Sequence, residues 1–471
     1  MKALAAAVHE VVNYTPFPLD KPPPNYTDIF LENIKPDCKE LADYFIEITD
    51  FPEWKCVDLY WPLHLLTYPW FIEDPKVQEL LTGKDKFDLI FIEGTTVHEH
   101  TLVMGRIFNA PIISLQTFAL NNFLNSHAGN DYQLSYIPDT CLSLSNRMSF
   151  QDRLFNALTS IRGLYHYHNS QLRSLEAMMK KAFPDLPPIA EMARNISLHF
   201  VNDHVTADYA QPRPPNVIGV GGIHIEPNKP LPNELKKFMD EAPAGVIFFS
   251  LGTYVNDDIK PKEYFDMYIN VFKRFKERVI WKTRKGDIEG LPPNVLTLKW
   301  APQPDILAHP NCVLFITHGG QFSTLEAVHF GVPVIGIPQF FDQHRNVRFF
   351  VEREVGVKVA IDNISEKTMS TAIREVLDNP RYRDNMKRLS AVFRDRPMSP
   401  AESVVFWTEY VLRHGGAPHL RPASTELRWY QLWPLDVALC VLLVPTFLIT
   451  FFVLCYKRLT QKSVSKLKKR N

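Results

Sequence analysis

The chain predicts an α/β protein: two parallel-sheet domains facing each other across a crevice, with one transmembrane helix near the C-terminus. Three observations carry this. Strand-like and helix-like stretches alternate in both halves, a Pro-rich segment separates the halves at 226–232, and an uncharged apolar run fills 437–456. With 471 residues, the chain exceeds one ordinary hydrophobic core, so two domains are the natural division. Its 52 basic residues balance its 52 acidic ones, which gives no electrostatic reason to expect nucleic acid as a partner.

The first half, 1–225, alternates strand runs such as LIFIEG (Leu89 to Gly94) and APIISLQTF (Ala110 to Phe118) with helical stretches such as Leu154 to Lys181. The segment EPNKPLP, 226–232, is the expected linker. The second half, 233–415, opens with the buried-strand run GVIFFSLGT, then reads as a helix from about Pro261 to Arg278 and a strand at VIWKT. Residues 416–436 lead to the membrane. In two facing parallel sheets, ligands sit at the carboxyl ends of the strands.

The run VALCVLLVPTFLITFFVLCY, Val437 to Tyr456, has the roughly 20 apolar residues that a helix needs to cross a bilayer. The tail 457–471 carries seven Lys or Arg residues and no acid, so by the positive-inside rule it is cytoplasmic and the preceding domains are lumenal. Lys468, Lys469, Arg470 and Asn471 form a dilysine-type ending that predicts retrieval to the endoplasmic reticulum; binding of anionic lipid is the alternative use of such a cluster. Sequons at Asn13, Asn25, Asn195 and Asn363 agree with a lumenal glycoprotein. The opening MKALAAAVHEVV lacks the apolar core of a signal peptide, and an incomplete start is expected. The six cysteines display neither a zinc spacing nor a disulfide framework.

The densest chemistry lies between Trp300 and Gln343. VLFIT reads as a buried strand, His318, Gly319 and Gly320 as a tight turn, and Ser323 to Phe330 as a helix closed by Gly331 and Pro333. A helix starting at a strand end offers unpaired amides and roughly half a positive charge, and glycine lets a phosphate approach the backbone. Many α/β proteins have such a turn without a ligand, so the surrounding residues must decide. Ser323 to Glu326 has the spacing of a capping box, which would employ both side chains with no ligand at all.

FITHGGQFSTLEAVHFGVPVIGIPQFFDQ resembles the signature of the animal UDP-glycosyltransferase family, of the UDP-glucuronosyltransferase and UDP-glucosyltransferase type. GVIFFSLGT and VVFWTEYVLRHGGAPHL extend the likeness over nearly the whole chain. The resemblance implies a GT-B fold, with an acceptor domain and a UDP-sugar domain, both Rossmann-like, and transfer of a hexose or hexuronic acid with inversion, without metal or cofactor. It implies UDP-glucose or UDP-glucuronic acid as donor, a small lipophilic acceptor, detoxification as a role, and association with membrane lipid and with further copies or relatives. It implies that Trp300 stacks on uracil, Gln303 lies near the nucleoside and Glu326 accepts from the ribose hydroxyls. His318, Gly320, Ser323 and Thr253 would then contact the phosphates, while Asp342 and Gln343 would read the sugar. Phe322 stands where many relatives have Asn and cannot make that hydrogen bond.

Inverting transfer needs a base for the acceptor hydroxyl. By resemblance, Glu93 is the acid that orients a histidine of the first strand's loop, and this chain is expected to begin after that loop. Hence the alternative expectation: a short form that binds UDP-sugar or partners relatives without turning over. His98, Glu99 and His100 make a poor metal site by spacing, and His309 and His344 read as packing or loop residues. Residues around Leu115 to Tyr136 suggest a lipophilic pocket wall.

Overall fold

The computed structural model describes residues 1–34, 44, 51–55, 63–94, 97–130, 132–253, 260–285 and 288–468. Cys38, Cys56, Lys469, Arg470 and Asn471 lie outside the described residues.

Residues Met1–Arg421 form one compact unit. Its first half contains a parallel pair, β1 (Val11–Thr15) with β2 (Tyr26–Phe30), and a four-stranded parallel sheet in which β3 (Ile90–Glu93), β4 (Ile112–Gln116), β5 (Leu198–Val201) and β6 (Val217–Gly219) lie side by side in that order. Its second half contains a six-stranded parallel sheet: β7 (Val246–Ser250), β8 (Arg278–Lys282), β9 (Val295–Leu298), β10 (Cys312–Thr317), β11 (Val334–Gly336) and β12 (Gly356–Lys358), ordered β12-β11-β10-β7-β8-β9. The sheets fall on either side of 226–232.

β7 illustrates why these runs are strands. Val246 to Ser250 are all buried, as expected where helices cover both faces of a parallel sheet. Phe248 and Phe315 point into one core cluster and Phe249 and Ile316 into the other, the period-two alternation of a pleat. The chain runs from β7 outward to β8 and β9, then returns to place β10 on the other side of β7. Order reverses between β7 and β10, and at such a switch point the connections diverge and leave a crevice.

The helix predicted over Pro261 to Arg278 spans Lys262–Phe272, and Arg278 already belongs to β8. The long helical stretch of the first half spans Phe150–His166 and continues through a π turn, Tyr167–Gln171, into Leu172–Met179. The helix Pro400–Arg413 lies within the stretch 233–415 but packs elsewhere. Val404 and Val411 join Leu4, Ile113 and Phe200 in the core of the first sheet.

The second unit, from Pro422 onward, contains the helix Leu435–Lys468. Its portion Leu435–Thr460 is the one helix among the described residues long and apolar enough to cross a membrane, and it encloses 437–456. Pro445 lies inside it, which a spanning helix tolerates.

Candidate active site

A cleft of about 1990 Å³ runs between the carboxyl ends of the two sheets, and Glu93, Thr253, Trp300, Gln303, His318, Gly320, Ser323, Glu326, Asp342 and Gln343 all line it. The turn between β10 and the helix Gln321–Phe330 forms its centre. Gly319 adopts φ +83°, a left-handed conformation that L side chains rarely take, and Gly320 is the N-cap. β7 pairs with β10 so that Ser250 lies beside Thr317, which brings the turn after SLGT against the turn after FIT. The His318 ring is clamped there. A Cβ on Gly252 would lie 2.7 Å from its Cε1, and one on Gly320 2.6 Å from its Nε2. Burial, with help from Lys282, pushes the His318 pKa down to about 4, so the ring is neutral and Nδ1 has no protein partner among the described residues.

The capping box that the spacing of Ser323 and Glu326 allows does not form. Because Gly320 is the N-cap, the helix starts at Gln321, two residues earlier than the sequence suggested, and Ser323 sits inside its first turn. Both side chains turn to the cleft instead. Gln303 Nε2 donates to Ser323 Oγ at 3.0 Å and to Glu326 Oε2 at 2.7 Å, while Glu326 Oε1 lies 3.2 Å from His224 Nε2. A buried carboxylate held this way is fixed in orientation before any ligand arrives. The Phe322 ring, half exposed, packs edge-on to His224 at 4.6 Å. Trp300 leaves 74% of its surface open, and Lys282 Nζ stands 5.3 Å from its ring centre. Lys282, at the carboxyl end of β8, also donates to Gly252 O at 2.8 Å and approaches Thr253 Oγ1 at 3.3 Å. The sequence reading missed Lys282, although a cation closing a strand run at the ligand-bearing sheet edge is a usable signal.

Asp342 and Gln343 begin the helix Gln343–Glu352. Gln343 Oε1 accepts from the Gln339 amide at 2.8 Å and the Phe340 amide at 3.2 Å, which fixes the amide group with its Nε2 free of that task. Asp342 Oδ2 accepts from Asn346 Nδ2 at 2.7 Å, and Asn346 also donates to Gly319 O at 2.9 Å, tying the two turns together. Burial pushes the Asp342 carboxyl up to about 7, against the pull of Asn346. The preceding Phe341 has φ +53°, unusual for an aromatic residue; Phe340 and Phe341 pack with Val97 and Cys141 across the cleft. Cys141 is disulfide-bonded, which the cysteine spacing did not reveal, whereas Cys312, Cys440 and Cys455 are free.

On the opposite wall Glu93 closes β3. Thr117 Oγ1 donates to Glu93 Oε1 at 3.1 Å, and His98 Nδ1 lies 3.3 Å from Glu93 Oε2. His98 is therefore not one member of a local triplet. In the short turn that includes Glu99–Leu102 the three side chains diverge: His98 to Glu93, Glu99 to the Tyr167 hydroxyl at 2.7 Å, and His100 onto the Phe71 ring at 4.9 Å. Burial disfavours charge on His98, but the hydrogen bond and charge of Glu93, and Glu99 behind it, raise its pKa. Its side chain remains 36% exposed. His309 and His344 face Asp240 and Glu53. The apolar wall differs from the one expected. Leu115 and Phe118 reach the cleft, but Leu120, Phe123 and Leu124 are buried in the core, and Leu66, Trp70, Phe71 and Met104 complete the lining.

Residues 71–470 match the family model described as UDP-glucoronosyl and UDP-glucosyl transferase. The chain belongs to this family. The transferase is 38% identical to UDP-glycosyltransferase UGT4 of Dactylopius coccus over 395 residues, 83% of this chain and 78% of that one. It is 30% identical to UDP-glucuronosyltransferase 2B15 of Homo sapiens over 389 residues, 81% and 73% of the two chains. Among solved structures it resembles CalG4, the calicheamicin glycosyltransferase, with TM-score 0.60 at 19% identity over 88% of this chain and 93% of that one. It also resembles Os79 from O. sativa in complex with UDP, with TM-score 0.57 at 15% identity over 87% and 96%. At these identities the likeness establishes the fold, GT-B.

Proposed function

We propose that this UDP-glycosyltransferase moves a hexose or hexuronic acid from a UDP-sugar to a hydroxyl of a small lipophilic acceptor, with inversion and without a metal. The single observation that carries the reading is the convergence of Trp300, Gln303, Ser323 and Glu326 with His318 on one wall of the cleft, opposite the paired Glu93 and His98. Trp300 offers an open ring for uracil and Glu326 a fixed acceptor pair for the ribose. The amides at the start of Gln321–Phe330, the neutral His318, Thr253 and Lys282 suit the charge that collects on the leaving diphosphate. Asp342 and Gln343 suit the sugar hydroxyls. As the acceptor oxygen bonds to the anomeric carbon and the bond to the phosphate oxygen breaks, the acceptor proton passes to His98 Nε2. Glu93 holds Nδ1 protonated, leaving Nε2 basic.

Family membership favours turnover over a binding-only partner subunit. The apolar helix, the basic tail and the disulfide at Cys141 support a membrane-anchored protein with its catalytic part in an oxidising lumen, retrieved to the endoplasmic reticulum and glycosylated at exposed sequons such as Asn363. Conjugation of lipophilic compounds for clearance is the fitting role. The test is an assay of the full chain in microsomes with UDP-glucose and UDP-glucuronic acid against phenols and aliphatic alcohols, beside UDP binding. Sugar transfer with anomeric inversion is expected; UDP binding with no transfer to any acceptor would sink the reading.

A further inference from the structure

The strand β5 ends at Val201, and the next residue, Asn202, is 4% exposed and bonded in three directions. Its Nδ2 donates to Thr117 O at 3.0 Å, and its Oδ1 accepts from the Gly222 amide at 3.4 Å. A carbonyl on one side and an amide on the other fix which way the side chain faces. Its backbone carbonyl accepts from Gln321 Nε2 at 2.7 Å. Each bond leads to a different part of the cleft. Thr117 holds Glu93 Oε1, and Glu93 in turn contacts His98. Gln321 opens the helix Gln321–Phe330, and its backbone amide reaches the Asp342 carboxyl. Gly222 belongs to the same connection as His224, which stands 3.2 Å from Glu326. The junction around Asn202 is stiff. Asp203 is pinned by the Leu120 amide at 3.0 Å and by Arg213 at 2.6 Å, and a Cβ on Gly221 would lie 2.5 Å from the Asp203 carbonyl oxygen.

We propose that Asn202 is a positioning residue that sets the separation of the two walls of the cleft, and with it the distance from the sugar's anomeric carbon to the group that takes the acceptor proton. The inference rests on the reading of Glu93 and His98 as that proton-accepting pair. An asparagine that merely finishes a strand bonds to backbone within a few residues of itself. Asn202 reaches Thr117 and Gln321, 85 and 119 residues away in the chain, and so joins the two halves. Glu93, Thr117, Asn202 and Gln321 form an unbroken series of hydrogen bonds from the acceptor wall to the helix start of the donor wall. Affinity for either substrate depends mainly on one wall, whereas the rate depends on the spacing of both. The reacting oxygen and carbon have to meet at roughly 3–3.5 Å in line, and a misplacement of about 1 Å costs on the order of a hundredfold in rate.

The test uses the full-length chain in detergent micelles, with saturating UDP-glucose or UDP-glucuronic acid and 4-nitrophenol, and expresses kcat per UDP-binding site so that any unfolded fraction cancels. Asn202→Leu keeps the size of the side chain and the backbone carbonyl but removes both side-chain bonds. It should lower kcat per site roughly tenfold to a hundredfold while the Kd for UDP stays as in the parent. Gln321→Leu cuts the series from the donor side and should also lower kcat per site, which carries the test if Asn202→Leu does not fold. In a His98→Gln background either substitution should cost little further rate, because its effect passes through that residue. A rate per site left unchanged by these substitutions, or reduced by the same factor with and without His98, would overturn the inference. His98→Gln with its rate intact would remove the reading beneath it.

Discussion

The two walls of the cleft are built in opposite ways. The donor wall comes almost entirely from one stretch, Trp300 to Gln343, supplemented by the ends of β7 and β8. The acceptor wall is gathered from segments scattered over 1–34 and 63–118, and its key pair, Glu93 and His98, is joined by a contact between a strand end and a turn. Neighbouring parallel strands present their carboxyl ends in a row, so one strand, one glycine turn and one helix start suffice to hold a diphosphate. A wall that accommodates varied apolar acceptors has no comparable repeating chemistry, and its polar residues become meaningful only in three dimensions.

The sharpest challenge to this contrast is His98→Gln. It should lower kcat by about a hundredfold to ten-thousandfold while UDP binding is retained. Glu93→Gln tests the same pair through pH. His98 must be neutral to accept a proton, and its raised pKa means that the rate falls as pH drops through a value above 6.5. Removing the Glu93 charge lowers that pKa, so the acid limb of the kcat profile should move to lower pH. An unmoved limb would separate Glu93 from the proton transfer.

On the donor wall, Trp300→Ala should weaken UDP binding by about 1–3 kcal/mol, roughly 5- to 150-fold, with Trp300→Phe retaining most of the affinity. Glu326→Ala, measured as the KM for the UDP-sugar, should lose about 1.5–3 kcal/mol of binding because a charged acceptor disappears. Equal losses for acceptor and donor KM in either variant would argue against two separable walls.

The smallest effect is on stability. Burial lifts the Asp342 carboxyl in the folded protein to about 7, above its ordinary value of 3.8. A folded pKa above the unfolded one means that the stabilising contribution is complete below the unfolded value and is lost as pH rises towards and through 7. Asp342→Asn removes that dependence. The variant should therefore melt above the parent at pH 8 and show little difference at pH 4, while losing affinity for the sugar; calorimetry across that range checks it.

Particular residues mark where sequence reasoning stopped. The spacing of Ser323 and Glu326 fits a capping box and a ligand site equally well; only the backbone register, with Gly320 as N-cap, decides between them. His98, Glu99 and His100 looked like a failed metal site because adjacency in sequence says nothing about direction in a tight turn. The segment around Leu115 to Tyr136 is apolar for two reasons at once, cleft and core, and periodicity cannot assign each residue to one of them.

By itself, the sequence determined what local chemistry and periodicity encode: the strand and helix alternation, the glycine turn followed by a helix start, the apolar span and the basic tail. Tertiary structure alone decided which distant groups meet: Gln303 on Glu326, Lys282 beside Trp300, Val97 against Phe340, and His98 on Glu93. It also decided which face of Phe150–His166 turns outward, since the bonds of Asn156 and Ser160 override the preference of the apolar residues. The physical reason is the same in each case. Propensity and spacing act within a few residues along the chain, whereas hydrogen-bond satisfaction and burial are settled by whatever the fold brings alongside.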